Sequence, residues 1–354
     1  IEGALRPTGV RPTFMAQFKK AGIDLPADEY GIPPEDPDKP IKPLKSRFGA
    51  KTSSKVELGA VPVGDGKAVV AVSGIPFESS RGCWWGEKQH CTFCGLNNAG
   101  MTYRARPPEG AIGQLRQLSE RYRINRFLAA DNIITHADFD PTLDAIAAAG
   151  LDLDIFYEVK VNIQRDGVRK LAGAGVRWVQ PGIESFSDGV LRLMRKGTTS
   201  LQNIQFLRLC KEFGVVPSYN ILIGFPGETD ADHVEALDAM AAIGHLPPPS
   251  GGPSEVQIHR FAPFHSQAEA FGFCNMRPTA YYKSLVPPGY ADLDEMAYFF
   301  DHDMAPDAPA ARHREALAQA IAAWRAAPSH LVMRLGSGFV EVQNALETFA
   351  LTRL

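Results

Sequence analysis

Residues 81–95 have the sequence RGCWWGEKQHCTFCG, which places Cys83, Cys91 and Cys94 in one short segment with the spacing C-x7-C-x2-C. If this segment were one α-helix, the first and last of these cysteines would lie about 16 Å apart, at ~1.5 Å of rise per residue, too far to share one metal centre. The segment also contains three glycines, which favour a curled loop. It therefore predicts a loop whose three thiols converge on one bound group.

Three converging thiolates fit two kinds of metal centre. Structural zinc normally takes four protein ligands, so a zinc site here would need His90 as the fourth. A [4Fe–4S] cluster held by three cysteines leaves one iron open for a substrate or cofactor. The loop follows a predicted strand, at the edge where parallel α/β barrels place their active sites, and this position favours the cluster.

The chain alternates strand and helix patterns from residue 67 onward. The six predicted strands lie in KAVVAVSGIPFESS, INRFLAADNI, LDIFYEVKVNI, VRWVQPGIES, VPSYNILIGFPGET and SEVQIHRFAPF. Such alternation is typical of parallel βαβ units, and six units are too few for a closed eight-stranded barrel. We therefore predict an α/β protein in which residues 67–265 form a partial (β/α)6 TIM-like barrel.

The two flanks of the predicted barrel differ from it in composition. Residues 1–66 are rich in Pro, Gly, Asp and Lys, as in YGIPPEDPDKPIKPLKSRFG, and we expect an extended N-terminal arm. Residues 266–354 predict a mainly helical C-terminal extension that ends in a hairpin around Gly336 and Gly338.

The composition is that of a globular protein of 354 residues, with 45% hydrophobic residues and a formal net charge of −3. No apolar run reaches the length of a membrane span, and no signal peptide is evident. The near-neutral charge argues against nucleic acid as an obligate partner. We expect a cytoplasmic protein, because clustered thiols in such a chain favour metal ligation over disulfide bonds.

Polar residues gather at the carboxyl ends of the predicted strands. They are Asp131 and Asn132, Lys160 and Asn162, Glu184 and Ser185, residues 224–228, and His259 and Arg260. Because the carboxyl ends of parallel barrel strands share one face, these side chains and the cysteine loop predict one active site.

The segment SRGCWWGEKQHCTFCGLNNAGMTYR, residues 80–104, resembles the cluster loop of the radical S-adenosylmethionine (SAM) superfamily. That superfamily usually has C-x3-C-x2-C after the first strand of a partial barrel, with an aromatic residue before the last cysteine, the position of Phe93. The x7 gap departs from the common x3. More narrowly, the segment resembles the RiPP maturation radical SAM proteins, which modify ribosomally made peptides. The motifs AADNI, YEVKVNI, QPGIES, LMRKG, GFPGET and RFAPF follow in the matching order, so the resemblance covers roughly residues 67–300.

The resemblance implies that Cys83, Cys91 and Cys94 hold three irons of a [4Fe–4S] cluster, while the fourth iron binds the amino and carboxylate groups of SAM. Reductive cleavage of SAM would then give a 5′-deoxyadenosyl radical. The resemblance also implies SAM contacts at the strand ends. Asp131 and Asn132 would contact the amino group of SAM, and Lys160 its carboxylate. Glu158 and Glu184, with Ser185 beside them, would contact the ribose or the ammonium. The adenine would lie beside Asn220, Gly224 and Phe225 and against the backbone of His259, Arg260 and Phe261.

Some of these residues also have an ordinary structural explanation. Asp131 would cap the following helix. Glu158 and Lys160 lie two apart on one strand, so they would face the same side and form a salt bridge. Trp84 and Trp85 either shield the cluster and line a peptide groove, or simply pack in the core.

The sequence offers three candidate catalytic residues, Tyr219, Cys274 and Tyr282, as donors of a hydrogen atom. Ordinary packing also explains the tyrosines. Cys210 lies in a predicted amphipathic helix, where a buried thiol behaves as a small hydrophobe, although it is a second candidate donor. Cys210 and Cys274 alone are too few for an auxiliary cluster.

The resembled subfamily implies C-methylation of a precursor peptide at an unactivated carbon, with cobalamin as a further cofactor and a reductant such as flavodoxin or ferredoxin. A cobalamin domain is an α/β fold of on the order of a hundred residues or more, normally placed before the barrel. Residues 1–66 are too short for one, so it would precede Ile1, or the enzyme works without cobalamin. The alternatives are radical epimerisation, cyclisation or crosslinking of the peptide and, in another class, a non-catalytic zinc-binding protein.

Overall fold

The computed structural model describes residues 43–44, 55–63, 66–72, 74–96, 100–134, 136–303, 308–327, 331–336, 339–344 and 348–351. Most of the predicted N-terminal arm lies outside these residues. Its described part contains three strands in one antiparallel sheet, β1 (Pro43–Leu44), β2 (Lys55–Val63) and β3 (Gly66–Val72). Because β2 pairs with β3, this hairpin crosses the predicted domain boundary between residues 66 and 67.

The central region alternates strands and helices as predicted. In chain order its elements are β4 (Ile75–Phe77), β5 (Ser80–Arg81), α1 (Trp84–Lys88), β6 (Arg104–Ala105), α2 (Pro108–Tyr122), β7 (Arg126–Ala129), α3 (His136–Ala148), β8 (Asp154–Val159), α4 (Arg165–Gly173), β9 (Val176–Pro181), α5 (Asp188–Leu193), α6 (Ser200–Phe213), β10 (Val216–Pro217), β11 (Leu222–Ile223), α7 (Asp230–Ala242), β12 (Ser254–Glu255) and β13 (Ile258–His259). Capping boxes begin α6 at Thr199 and α7 at Thr229, which fixes where these helices start.

Five strands form a parallel sheet in the order β10-β9-β8-β7-β4. The barrel continues with β11 and β12, which pair in parallel. A single bridge between Glu184 and Ile221 joins them to the end of β9. This arrangement confirms the α/β class and agrees with a partial barrel. The buried sequence of β8, with Ile155 and Tyr157 fully covered, is typical of a parallel strand packed on both faces.

The C-terminal extension contains more strand than the sequence predicted. Its elements are α8 (Pro263–Ser266), a 3-10 turn (Ala268–Phe271), β14 (Cys274–Pro278), α9 (Tyr282–Leu285), α10 (Leu293–Met296), β15 (Phe299–Asp303), α11 (Pro309–Ala326), β16 (Leu331–Gly336), β17 (Phe339–Asn344) and β18 (Thr348–Leu351). The expectation of a mainly helical extension overlooked the sheet β13-β15-β14, because its strands pair across a long sequence separation. The predicted terminal hairpin is confirmed by the pairing of β16 with β17.

Helix α11 anchors this extension to the barrel through Trp324, which is fully buried and donates its indole hydrogen to the carbonyl oxygen of Leu246 at 2.9 Å. Its ring also lies 6.0 Å from that of Phe186, behind the end of β9. Among the described residues, no helix combines the length and apolar content needed to cross a bilayer.

Candidate active site at the carboxyl edge of the parallel sheet

The cysteine loop, residues 82–103, leaves the sheet just after β4 and is closed at its base by the antiparallel pair of β5 and β6. Gly82 has a φ of 90°, and a Cβ there would lie 2.1 Å from the carbonyl oxygen of Thr102, so only glycine fits. The Cys83 amide donates to the carbonyl oxygen of Met101 at 3.0 Å. These contacts hold the first cysteine at the carboxyl edge of β4, where the sequence placed it.

The three cysteines of the loop are free and half-buried. Burial raises the pKa of the Cys91 thiol, and it raises that of Cys94 to about 11. Such thiols ionise only when a positive charge or a metal compensates them. Within the described residues, no three His, Cys, Asp or Glu side chains are close enough to hold a single ion. A [4Fe–4S] cluster binds each thiolate to a different iron, so it accepts sulfurs that are further apart.

The loop is fixed on its far side by Thr92, which lies between α5 and α8. Its amide donates to the carbonyl oxygen of Met194 at 3.1 Å, and its hydroxyl donates to that of Leu193 at 3.1 Å. The Thr92 carbonyl in turn accepts from the Phe264 amide at 2.9 Å. Since Thr92 lies between the second and third cysteines, these bonds set the position of both.

Both tryptophans of the loop pack against neighbouring backbone. The indole of Trp84 donates to the carbonyl oxygen of Ile134 at 3.3 Å, and that of Trp85 donates to Arg195 at 3.1 Å. A Cβ at Gly197 would lie 2.1 Å from the Trp85 ring, so this glycine is required for the contact. Both rings are half-buried and lie outside the hydrophobic core clusters, so packing in the core does not explain them. Trp85 lies at one side of the site.

Lys196, in the motif LMRKG, is a site residue for which no role was predicted. Its ammonium donates to the Glu184 carboxylate at 2.9 Å and lies 5.4 Å from the centre of the Phe93 ring. Burial alone would lower the pKa of Lys196, but the charges of Glu184 and of the Cys91 and Cys94 thiolates outweigh it and hold the pKa above its usual value. Lys196 thus places a positive charge near the Cys91 and Cys94 thiols.

Glu158 and Lys160 occupy the end of β8 but do not form the salt bridge that their spacing suggested. The ammonium of Lys160 donates instead to the carbonyl oxygens of Lys196 and Gly197 and lies 4.2 Å from the centre of the Trp85 ring. Within the described part of the chain, the Glu158 carboxylate has no hydrogen-bond partner. Burial raises its pKa to about 7, with the charges of Glu184 and Asp131 adding to the shift.

Lys160 is 6% exposed, and burial lowers its pKa to about 8, helped by the neighbouring charge of Lys196. The charge of Lys196 partly offsets the effect of burial on the pKa of Glu158. Perturbed pKa values of this kind are common at functional sites. The SAM contacts of Glu158 and Lys160 remain predictions.

Asp131 is 1% exposed, and both of its oxygens accept hydrogen bonds. They come from the amide and hydroxyl of Ser79, at 2.9 and 2.5 Å, and from the hydroxyl of Ser80 at 2.7 Å. Asp131 does not cap α3, which begins five residues later at His136. Asp131 instead holds Ser79 and Ser80, which lead into the cysteine loop. The contacts of Asp131 and Asn132 with the SAM amino group remain predictions.

Other predicted residues at the strand ends shape the backbone of the site. Glu184 has a φ of 58°, an uncommon conformation for a residue other than glycine. The Ser185 hydroxyl accepts from the Ser187 amide at 3.1 Å, which forms the turn into α5. The Gly224 amide donates to Glu228 at 2.9 Å.

The remaining predicted adenine contacts lie on two aromatic and polar segments. Phe225 is buried and packs edge-to-face on Phe93 with ring centres 5.7 Å apart, whereas Asn220 is exposed. The Arg260 carbonyl and the His259 side chain lie against Gly95 of the cysteine loop. This close approach brings β13 to the third cysteine, as the order of the predicted barrel requires.

Phe261 is 39% exposed and has a φ of 74°, which is an outlier for a bulky side chain. The neighbouring Arg260 side chain is committed to the extension, because its guanidinium donates to the carbonyl oxygens of Ala297 and Asp294. The arginine side chain is therefore engaged elsewhere, and the predicted adenine contact of this backbone remains a prediction.

The candidate hydrogen donors occupy different environments. Tyr219 is 4% exposed and its hydroxyl donates to the Pro247 carbonyl at 2.9 Å, which agrees with a core role. The Tyr282 hydroxyl accepts from the amides of Tyr298 and Phe299. Cys274 is exposed on β14, and Cys210 is fully buried in α6. His90 bonds the Cys94 carbonyl at 2.6 Å, so it braces the loop.

Residues 77–240, which hold the cysteine loop and the strand ends described above, match the radical SAM superfamily. The chain carries a radical SAM domain. It is 32% identical over 176 residues to an uncharacterized methyltransferase of Pyrococcus horikoshii, a match covering 48% of this chain and 37% of the relative. It is 27% identical over 251 residues to tRNA-2-methylthio-N(6)-dimethylallyladenosine synthase of Chlorobium luteolum, covering 67% of this chain and 54% of that protein. The chain thus spans about half or less of the length of these relatives.

The solved structure of the cobalamin-dependent SAM radical enzyme OxsB, with aqua-cobalamin and SAM bound, has the same fold. It superposes with a TM-score of 0.51 at 15% identity, covering 66% of this chain and 39% of OxsB. Radical SAM domains use a [4Fe–4S] cluster together with SAM. The residues fit this pair of groups, because three free thiols lie on one loop near the Glu158 carboxylate, the buried Lys160 and the half-buried Lys196.

Proposed function

We propose that this chain is the radical SAM part of an enzyme that methylates an unactivated carbon of a ribosomally made precursor peptide. Cobalamin would carry the methyl group, and a reductant such as flavodoxin or ferredoxin would supply electrons. The observation that carries the SAM chemistry is the meeting of the cysteine loop with Glu158, Lys160 and Lys196 at one edge of the sheet. A relative named as a methyltransferase and the fold of OxsB support the choice of methyl transfer.

Cys83, Cys91 and Cys94 would hold the cluster, which when bound supplies the electron that cleaves the sulfonium of SAM. Lys196 stabilises the thiolates by its charge, while Glu184 keeps that lysine in place. Ionised Glu158 would accept hydrogen bonds from the ribose hydroxyls or the ammonium of SAM.

Lys160 would donate to the carboxylate of SAM. Trp85 and Phe93, whose rings contact neighbouring segments of the barrel, would shield bound SAM from water on two sides. These residues position and shield SAM, and the hydrogen atom is then taken from a carbon of the peptide.

For cobalamin, unlike the cluster and SAM, the described residues offer no candidate binding site. Within the described residues, the sheets other than the barrel strands are antiparallel, so no second parallel α/β domain is present there. No residue of this chain is therefore assigned to cobalamin, and the cofactor enters as a component to be tested by addition.

A second candidate function is methylthio transfer, because one relative carries the name of a tRNA methylthio-synthase. Methylation and methylthio transfer leave different products. The first adds CH2 to the substrate, and the second adds CH2S.

The test uses full-length wild-type protein, loaded anaerobically with iron and sulfide and supplied with hydroxocobalamin, dithionite and SAM carrying a CD3 methyl group. The substrate is the short peptide encoded beside the gene. We expect the peptide to gain CD3 in place of one hydrogen, by mass spectrometry, only when hydroxocobalamin is present. Cys94→Ala, prepared in parallel, should leave the mass unchanged.

Other masses would contradict methylation. An unchanged mass with a new stereocentre would show epimerisation, and the loss of two hydrogens would show cyclisation or crosslinking. Replacement of one hydrogen by SCD3 would favour the second candidate. A colourless zinc protein that leaves both SAM and peptide intact would remove every radical reaction at once.

A further inference from the structure

Tyr298 contributes a hydroxyl from the C-terminal extension to the environment of the cysteine loop. A Cβ at Gly95 would lie 3.1 Å from the Tyr298 hydroxyl oxygen. Gly95 directly follows Cys94, so the absence of a side chain there opens the space between this phenol and the third cysteine. Sequence analysis gave Tyr298 no role, since it lies far from the cysteines along the chain.

The backbone and ring of Tyr298 are held firmly. Its amide donates to the Tyr282 hydroxyl at 3.0 Å, and its carbonyl accepts from the Arg260 amide at 2.7 Å. Its ring packs at 5.4 Å from that of His259 and 4.8 Å from that of Phe299. These contacts fix the direction in which the phenol points.

The Tyr298 hydroxyl itself has no hydrogen-bond partner in the part of the chain that the structure describes. The Tyr282 hydroxyl differs, because it accepts hydrogen bonds from the backbone amides of Tyr298 and Phe299. A positioned donor that lacks an acceptor, next to a cluster ligand, is suited to a sulfur atom of that cluster. Burial and, after it, the charge of Cys94 raise the pKa of Tyr298.

We propose that the Tyr298 hydroxyl donates a hydrogen bond to the cluster at its Cys94 corner and thereby raises the reduction potential of the cluster. Reduction adds negative charge to the sulfurs, and a hydrogen bond to them stabilises the reduced form. Tyr298 is a positioning and tuning residue, since it acts through the cluster. The inference rests on the cluster of the proposed function and not on methyl transfer.

The experiment compares wild type, Tyr298→Phe and Tyr281→Phe, each reconstituted with iron and sulfide. Dye-mediated redox titrations followed by electron paramagnetic resonance give the midpoint potential, first without SAM and then with it. We expect Tyr298→Phe to shift the midpoint to a more negative value in both conditions. The exposed Tyr281 is the matched control, because its loss removes a phenol from the same region while leaving the midpoint unchanged.

An equal midpoint in wild type and Tyr298→Phe would overturn the proposal. A shift that appears only with SAM present would also overturn it, because the hydroxyl would then act on SAM. The midpoint does not depend on how much cluster each sample holds, so a variant that loads less iron still gives an answer. Failure here would leave the peptide methylation test unaffected.

Discussion

The ends of β8 and β9 are neighbours, and the glutamates there have different partners. Glu184, beyond the end of β9, pairs at 2.9 Å with Lys196, which follows α5. At the end of β8, Lys160 turns to backbone carbonyls and Glu158 has no partner among the described residues. One acid–lysine set is satisfied internally, and the other leaves a carboxylate for a ligand.

The pKa values of the two lysines shift in opposite directions. The pKa of Lys196 is held above its usual value despite burial, because Glu184 and the loop thiols surround it. The pKa of Lys160 falls to about 8 and that of Glu158 rises to about 7, in both cases mainly through burial. The Glu184–Lys196 pair therefore lies near the thiols of the cysteine loop, whereas Glu158 and Lys160 titrate closer to neutral pH and are proposed to bind SAM.

The largest effect should come from breaking the β9 pair. Lys196→Met leaves the Glu184 carboxylate without its cation in a largely covered site, and we expect the free energy of unfolding to fall by about 2 kcal/mol. Urea denaturation of the cluster-free protein measures this change. The double variant Lys196→Met/Glu184→Gln should lose at least ~1 kcal/mol less than the sum of the losses of the two single variants. A loss equal to that sum would show that the two residues are not coupled.

Removing the β8 acid should affect binding instead of stability. Glu158→Gln deletes a charged acceptor for SAM, so we expect SAM affinity to fall about tenfold, equivalent to ~1.4 kcal/mol. Equilibrium dialysis of the cluster-loaded protein measures it. The free energy of unfolding should stay within ~0.5 kcal/mol at pH 7.

The matched control for Glu158 is Glu120→Gln, an exposed acid on α2 that should leave both quantities unchanged. If Glu158→Gln instead behaved like Lys196→Met, with a large loss of stability and normal SAM affinity, the contrast between the two strand ends would be wrong.

The smallest predicted effect is a pH dependence that comes from Glu158. The folded protein holds this proton up to a pKa of about 7, whereas the unfolded chain releases it at about 4.3. Because the folded state binds the proton more tightly, stability falls as the pH rises from about 4.5 to 7. After allowance for partial exposure, we expect wild type to lose about 1 kcal/mol more than Glu158→Gln across this range.

Urea denaturation at several pH values measures this difference. SAM affinity should rise with pH, whereas stability falls, because Glu158 ionises between about pH 6 and 7.5. In Glu158→Gln, SAM affinity should not change over this range. Parallel pH curves for the two proteins would contradict the assignment of the raised pKa to this carboxyl.

Much of the fold followed from the sequence because parallel strands buried on both faces have a strong local pattern. The cysteine loop was also predictable, since three thiols in such spacing have few other uses. The sheet β13-β15-β14 was not, because it depends on pairing between segments of ordinary local sequence. The first predicted strand is divided between β3 and β4, and Gly74 was the one sequence signal that could have indicated this division.

At the site, the sequence indicated residue types but not their partners. Glu158 and Lys160 were placed correctly at one strand end, yet their spacing suggested a salt bridge that the carbonyls of Lys196 and Gly197 prevent. Lys196 was missed although its motif was noted, because its partner Glu184 lies on the preceding strand end. Asp131 was expected at SAM, and only the fold shows its oxygens occupied by Ser79 and Ser80.

The most direct test of the central claim is the formation of 5′-deoxyadenosine from SAM by the anaerobically reconstituted protein. Wild type and Cys210→Ala, which removes a buried cysteine outside the loop, should bind iron and form this product after addition of dithionite. Cys94→Ala should form none above background. If wild type bound zinc in place of iron and left SAM intact, or if Cys94→Ala matched it in product, the assignment of the cysteine loop to a SAM-cleaving cluster would be contradicted.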